Sequence, residues 1–375
     1  METLILSDED VHRIALGVGL DYLMDELIDR LTKAFETFST ETTVVPARDG
    51  FVYDHPVPGL LEWMPCMTYG DRATVKLVGY HPGNPKTRSL PTILSTIGAY
   101  DTTSGHLICL MDGTLLTALR TGAASAVASS IMSAPGSRVL GLIGAGVQAI
   151  AQLHALSRTF DLEEVLIYDV DADVQGTFTE RSSVFASHLS IRPATVGDLV
   201  RKSDVICTAT SVGIGEGPVF YGVEPKPWVH LNAIGSDFPG KVEIPLDLLQ
   251  RAFVCPDFRT QAIREGECQQ LTPNQIGPDL FEVVQNRDRY QHVRDQITVF
   301  DSTGWALEDH VAMNLIMELA AELRLGTRVQ IESIPVDAVN PYYFATSRRH
   351  ETAQRRPTEP VLFESPDIAF RQTGT

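Results

Sequence analysis

The residues best suited to chemistry begin in one stretch, Val139-Leu140-Gly141-Leu142-Ile143-Gly144-Ala145-Gly146-Val147-Gln148-Ala149. An apolar run that breaks into a glycine turn and resumes as a helix predicts a buried parallel strand followed by a dinucleotide-binding turn. Gly144 permits the tight turn, Gly146 lets the backbone approach a pyrophosphate, and Ala149 keeps the helix close to the strand. Ala145, Val147 and Gln148 sit where a helix N-terminus offers free N–H groups and positive dipole to phosphates. The next apolar run, Val165-Leu166-Ile167-Tyr168, ends at Asp169. An acid meets the adenine ribose hydroxyls about 20 residues past such glycines. Asp169 therefore favours NAD over NADP, since a carboxylate repels a 2′-phosphate. The plain alternative is that Asp169 caps a turn.

Three cations and one carboxylate form a second group: Arg48, Lys76, Arg120 and Asp237. Arg48 and Arg120 could clamp a substrate carboxylate, because a guanidinium matches it bidentately. Lys76 is central in Thr74-Val75-Lys76-Leu77-Val78, where strand alternation puts its neighbours on the opposite face. Arg120 precedes Thr121-Gly122-Ala123-Ala124, small residues that let a helix pack closely or face a ligand. Each cation has an ordinary alternative as an exposed or salt-bridged residue. Asp237 lies in Gly235-Ser236-Asp237-Phe238-Pro239-Gly240-Lys241, after an apolar run over 229–234.

Ligands gather beyond the carboxyl ends of strands in a doubly wound sheet, which puts Asp237 near the nicotinamide end of a cofactor. A partly desolvated carboxylate there can take a proton from an ammonium group and return it later. Otherwise Asp237 is an Asx-type turn residue. Thr210 and Ser211, and Ser302 within Asp301-Ser302-Thr303-Gly304, follow two other strands. They could contact ribose, phosphate or carboxamide, or serve only strand-end turns. The histidines show no metal-ligand spacing, and no metal is expected.

Positioning these groups requires a scaffold with two patterns. Residues 7 to about 40 read as helical, with Leu20, Leu23, Met24, Leu27, Ile28 and Leu31 at helical spacing. From about 43 to 112 the chain shows short β-like runs at 73–78, 94–98 and 106–110, separated by Pro and Gly. A helix over about 116–132 leads to the strand at Val139. Candidate strands at 165–169, 191–194, 205–209, 229–234, 253–256 and 297–300 then follow in α/β alternation, separated by polar and helical segments, as parallel crossovers require. A helix near 306–325 follows, and the alternating segment 328–334 reads as a strand returning to the first region. From about 346 the chain is polar and arginine-rich, which predicts disorder. The expectation is an α/β protein with a doubly wound Rossmann domain over 133–325. A discontinuous α+β domain over 1–132, completed by 326–345, would accompany it, with a tail over 346–375.

Bulk properties narrow the function classes. The 375 residues are 43% hydrophobic and 21% charged, ordinary for a globular enzyme. A net charge of −18 argues against nucleic acid or an anionic membrane surface as partner. The first eight residues lack a basic region and an apolar run, so no secretory leader is read. Five scattered cysteines form no C-x-x-C pair and read as reduced thiols of a cytoplasmic protein.

Several motifs recur together in one known family. They are Lys76-Leu77-Val78 with Tyr80-His81-Pro82-Gly83-Asn84, Leu119-Arg120-Thr121-Gly122-Ala123-Ala124-Ser125-Ala126-Val127, and Ile143 to Ala149. Gly235-Ser236-Asp237, Gly266-Glu267-Cys268-Gln269-Gln270, Phe300 to Gly304, and Ile331-Glu332-Ser333 with Pro335 and Asn340-Pro341-Tyr342 complete the set. On these residues the chain resembles the ornithine cyclodeaminase/mu-crystallin family from about 5 to 342, and within it the bacterial lysine cyclodeaminases.

The resemblance implies a homodimer, a discontinuous substrate-binding and dimerisation domain, and tightly held NAD. It implies that Arg48, Lys76 and Arg120 bind an amino-acid carboxylate, that Glu62 faces the substrate amine, and that Asp237 is the acid/base. The implied chemistry is redox-neutral. Hydride leaves Cα of a diamino acid for NAD+, the side-chain amine attacks the imine carbon, ammonia departs, and hydride returns. L-Lysine would give L-pipecolate, and L-ornithine would give L-proline. Relatives that perform net redox, as imino-acid reductases or alanine dehydrogenases, are one alternative. A mu-crystallin-like dinucleotide and small-ligand binder is another, which Asp169 disfavours.

Overall fold

The computed structural model describes residues 1–347. Seven strands come first: β1 (Thr3–Leu6), β2 (Thr43–Val44), β3 (Asp49–Tyr53), β4 (Gly59–Thr68), β5 (Arg72–Tyr80), β6 (Ile93–Asp101) and β7 (Leu107–Asp112). Seven more follow: β8 (Val139–Ile143), β9 (Glu164–Tyr168), β10 (Ser190–Pro193), β11 (Val205–Thr208), β12 (His230–Ala233), β13 (Phe253–Pro256) and β14 (Thr298–Asp301). A last short strand, β15 (Thr327–Val329), returns to the first sheet, whose order is β15-β1-β7-β6-β5-β4-β2 with β3 also on β4.

The second sheet runs β10-β9-β8-β11-β12-β14-β13, with every neighbouring pair parallel. Helices join these strands except β11 and β12, which the helix-free segment 209–229 connects, giving the doubly wound α/β fold. The chain leaves β8 toward β9 on one side, whereas β11 lies on the other. The carboxyl ends of β8 and β11 therefore flank the switch point, where such sheets bind ligands. Alternate residues of the buried strands enter different cores. Leu140, Leu142, Val165 and Ile167 pack on one face, and Leu166, Ile206, Leu231 and Val299 on the other.

Two differences from the sequence-based expectations have local causes. The expected long N-terminal helix is two, Asp8–Val18 and Leu20–Thr37, because Gly19 adopts φ +91° between them. The strand expected over 328–334 is confined to Thr327–Val329, since it pairs with the four-residue β1 through only three residue pairs. Positions 348–375 of the expected polar tail lie outside the described residues. Glu2–Val329 forms one compact unit, and a second begins at Gln330. Within the second unit a short helix spans Tyr343–Ser347, and the Ser333 and Tyr343 hydroxyls lie 3.2 Å apart.

The helix Thr114–Met132 is long and apolar enough to cross a membrane, but 83% of that stretch is buried inside the protein. Its run of Gly122, Ala123, Ala124, Ser125 and Ala126 is wholly buried. Small side chains here serve close helix packing, and Arg120 projects from the same buried helix.

Candidate functional site

Gly144 directly follows β8 with φ +99°, and a Cβ there would lie 2.4 Å from the Ala209 carbonyl oxygen. Only glycine fits both constraints. Gly144→Ala is therefore expected to lower the melting temperature and to weaken NAD binding at least about tenfold, through a strain of about 1–3 kcal/mol at the turn. Isothermal titration with NAD checks this, and wild-type affinity would contradict it. Gly146 caps the helix Val147–Thr159, and a Cβ there would meet nothing within 4 Å. Val147 is exposed, and Gln148 Oε1 has no hydrogen-bond partner. Ala149 is fully buried, as close packing of helix on strand requires.

The Asp169 carboxylate accepts from the Ala145 N–H at 2.7 Å and from the Asp171 N–H at 2.8 Å. It thus closes the glycine turn and makes an Asx-type turn at once. Ser302 Oγ, beyond β14, is buried with no hydrogen-bond partner. Thr210 donates its hydroxyl to Glu243 at 2.6 Å, and Ser211 is exposed. An open helix N-terminus, an acid at the end of β9 and an orphaned hydroxyl beyond β14 fit a dinucleotide lying along the carboxyl edge of the sheet.

The second group converges from five parts of the chain. Met64 and Lys76 are cross-strand partners on β4 and β5, and Glu62 lies two residues from Met64, so all three share a face. Lys76 is 1% exposed and meets Asp309 at 2.8 Å. Arg120 meets Glu308 at 2.7 Å and Asp309 at 3.2 Å. Gly304 lies so close to Arg120 that a Cβ would sit 2.7 Å from its guanidinium.

Arg48 reaches across to the loops of the parallel sheet. It donates to the Thr303 carbonyl at 3.0 Å and to the Asp237 carbonyl, and lies 3.6 Å from Glu62 and 2.7 Å from Glu265. Asp237 pairs with Lys241 at 2.6 Å, and the Lys241 ammonium lies 5.0 Å above the Tyr80 ring. Arg48 thus joins Glu62 and Asp237, Asp309 joins Lys76 and Arg120, and the adjacent residues Thr303 and Gly304 bring the two groups together.

Burial dominates the electrostatics. It raises Glu62 above the usual carboxylate range against the pull of Arg48. It lowers Lys76 to about 8, with Asp309 opposing and Arg120 adding repulsion. Burial also lifts Glu265 and Asp301 to about 7 and Glu308 to about 8, although Arg48 and Arg120 draw Glu265 and Glu308 down. His230, fully buried, falls to about 3.

These shifts set a pH dependence. The three acids hold protons in the folded protein that the unfolded chain releases, so stability falls as pH rises from the ordinary carboxylate range toward 8. His230 contributes stability only as pH climbs to about 6.5, and Lys76 only above about 8. Between about pH 6.5 and 7.5 the acids decide, and the melting temperature should fall by at least about 2 °C. Thermal melts at constant ionic strength check this, and a rise would contradict it.

Several residues of the site were not singled out from sequence. Glu308 and Asp309 look like ordinary acids in a helix's first turn, where they suit the dipole. The signal available was that Lys76 and Arg120, if buried, need counter-charges. Glu265 adjoins the Gly266-Glu267-Cys268-Gln269-Gln270 motif, and Tyr80 and Lys241 lie within other quoted motifs without an assigned role. Glu243, Glu267 and Asp301 are buried carboxyls that receive backbone N–H groups from Gly235, Glu243, Glu267 and Cys268. They stitch together the loops beyond β11, β12 and β14 that carry Asp237 and Thr303. Among the described residues no group of His, Cys, Asp and Glu has the arrangement of a metal site.

Comparison with known proteins identifies relatives of the whole chain. The ornithine cyclodeaminase/mu-crystallin family model matches residues 8–323. An L-lysine cyclodeaminase of Streptomyces rapamycinicus is 40% identical over 343 residues, 91% of this chain and 99% of that protein. A lysine cyclodeaminase structure, solved to explain recognition of L-lysine, L-ornithine and L-2,4-diaminobutyric acid, superposes with a TM-score of 0.89. It is 47% identical and covers 92% of this chain and 99% of its own. An archaeal alanine dehydrogenase dimer with bound NAD superposes at 0.79 with 30% identity, over 88% of this chain and all of its own. The chain belongs to the ornithine cyclodeaminase/mu-crystallin family.

Proposed function

We propose that this protein is an NAD-using, redox-neutral cyclodeaminase that converts L-lysine to L-pipecolate and ammonia, with L-ornithine to L-proline as the shorter alternative. One observation carries it. Cations suited to a carboxylate and acids suited to amines meet at the carboxyl edge of the sheet that bears the glycine turn. Arg48, Lys76 and Arg120 receive the substrate carboxylate, Glu62 faces the amine, and Asp237 moves protons. Gly144 to Gln148, Asp169, Thr210, Ser211 and Ser302 line the NAD site, with the 133–325 segment as its domain. The 1–132 segment, completed by 326–345, carries the substrate.

Bound NAD supplies reversible removal of hydride from the substrate's Cα. The remaining work belongs to side chains. A distal amine with an ordinary pKa of about 10.4 is protonated at neutral pH and cannot attack the electrophilic carbon. A base must take that proton, and Asp237 is placed for it, one-third exposed and beside the Lys241 cation. The same carboxyl can then protonate the departing α-amine.

The 40% identical L-lysine cyclodeaminase supports lysine as substrate. We also place the protein in the cytoplasm, where its five buried, unbridged cysteines suit a reducing environment. A homodimer is supported by the outward face of the first sheet, where Phe51, Leu77, Leu94 and Tyr100 are exposed. The function is tested by offering L-lysine or L-ornithine with NAD+ and following ammonia and absorbance at 340 nm. Ammonia with a cyclic amino acid and no accumulating NADH is expected, whereas steady NADH formation would identify a net dehydrogenase.

A further inference from the structure

Around Arg48 the charges do not balance. Two cations, Arg48 and Lys241, lie among three carboxyls, Glu62, Asp237 and Glu265, while the nearby Lys76 is taken up by Asp309. Asp237 has Lys241 at 2.6 Å, and Glu62 stands 3.6 Å from Arg48. Glu265, the last residue of the helix Arg259–Glu265, is 7% exposed. Its buried Oε1 lies 2.7 Å from Arg48 Nε, and among the described residues the Glu265 carboxyl accepts no hydrogen bond from a backbone N–H, hydroxyl or amide. A buried carboxylate oxygen with unmet acceptor capacity is costly unless a donor arrives.

We propose that Glu265 is the specificity-determining acid of the site, the receptor for the second, distal ammonium that distinguishes a diamino acid from a monoamino acid. This rests on the proposed function, in which Glu62 faces the substrate amine and Asp237 takes the proton of the distal ammonium that Glu265 first receives. A monoamino acid brings one ammonium to three carboxyls. A diamino acid brings two, and the second supplies N–H donors to the Glu265 carboxyl. Burial holds Glu265 near neutrality in its proton affinity, at about 7, so an arriving ammonium readily ionises it. A charge pair desolvated to this degree discriminates strongly against a ligand lacking one member.

L-Norleucine tests this directly, because it matches lysine in chain length and α-substituents but ends in a methyl group. Binding is measured by calorimetry on NADH-loaded protein, which can oxidise neither ligand. Wild type is expected to prefer lysine at least about tenfold. In Glu265→Gln the two affinities should agree within about twofold, through loss of lysine binding with norleucine retained, and Glu265→Asp should recover part of the preference. Retained norleucine binding also shows that the variant folds. An unchanged preference in Glu265→Gln, equal weakening of both ligands, or no preference in wild type would overturn the assignment. Failure of the proposed function is seen separately, in wild-type protein that makes no cyclic amino acid from lysine or ornithine.

Discussion

Asp237→Asn should lower turnover of L-lysine at least about 100-fold while leaving NAD affinity within about twofold. Asparagine keeps the shape of the side chain but cannot accept a proton from an ammonium group. Arg48 is held by the Asp237 backbone carbonyl, so its position survives the substitution. The change leaves Lys241 without its carboxylate at 2.6 Å, yet its ammonium still lies over Tyr80. Some loss of stability is expected for that reason, and a thermal melt separates it from the kinetic effect. Ammonia release under saturating lysine gives the turnover. A loss smaller than about tenfold would remove Asp237 from the acid/base role.

Arg120→Met should destabilise the protein by about 3–5 kcal/mol, because breaking a buried ion pair leaves uncompensated charge. Arg120 neutralises both Glu308 and Asp309, and Lys76 alone remains for Asp309. Glu308 is fully buried and already titrates at about 8 with its partner present. Without Arg120 it stays protonated further up the pH scale, so the deficit should be larger near pH 8 than near pH 6. Denaturant unfolding at the two pH values reads both effects. Arg120→Lys should recover only part of the loss, since one ammonium cannot reproduce the fork that spans two carboxylates. A deficit below about 1 kcal/mol would mean that Arg120 is not the counter-charge of this helix start.

The extent to which sequence predicted structure follows the range of the interactions involved. The strand, glycine turn and helix around Gly144 were readable because each depends on neighbours a few residues away. Strands near 165, 191, 205, 230, 253 and 298 were readable for the same reason: apolar runs bounded by polar segments. Alternation separated Lys76 from its apolar neighbours Val75 and Leu77 but did not show that Lys76 is the buried one and Leu77 the exposed one. The partners of these groups were not readable. Lys76 and Asp309 are 233 positions apart, and Arg120 and Glu308 are 188 apart. Locally, Glu308 and Asp309 satisfy every expectation for exposed acids at a helix start, and Glu265 looks like a solvated residue ending a short helix. Burial changes their meaning, and burial is a property of the assembled fold. The Gly19 break and the short β15 depend similarly on a positive φ and on the length of β1.

The central claim is that one carbon of the substrate loses and regains its hydride while its own amine departs. L-Lysine carrying deuterium at Cα and nitrogen-15 in the α-amine separates this from every alternative in a single mass spectrum of the product. Pipecolate that keeps the deuterium and has lost the nitrogen-15, with the label recovered in ammonia, is the expected result. Pipecolate that retains nitrogen-15, or that has lost its deuterium, would contradict the account.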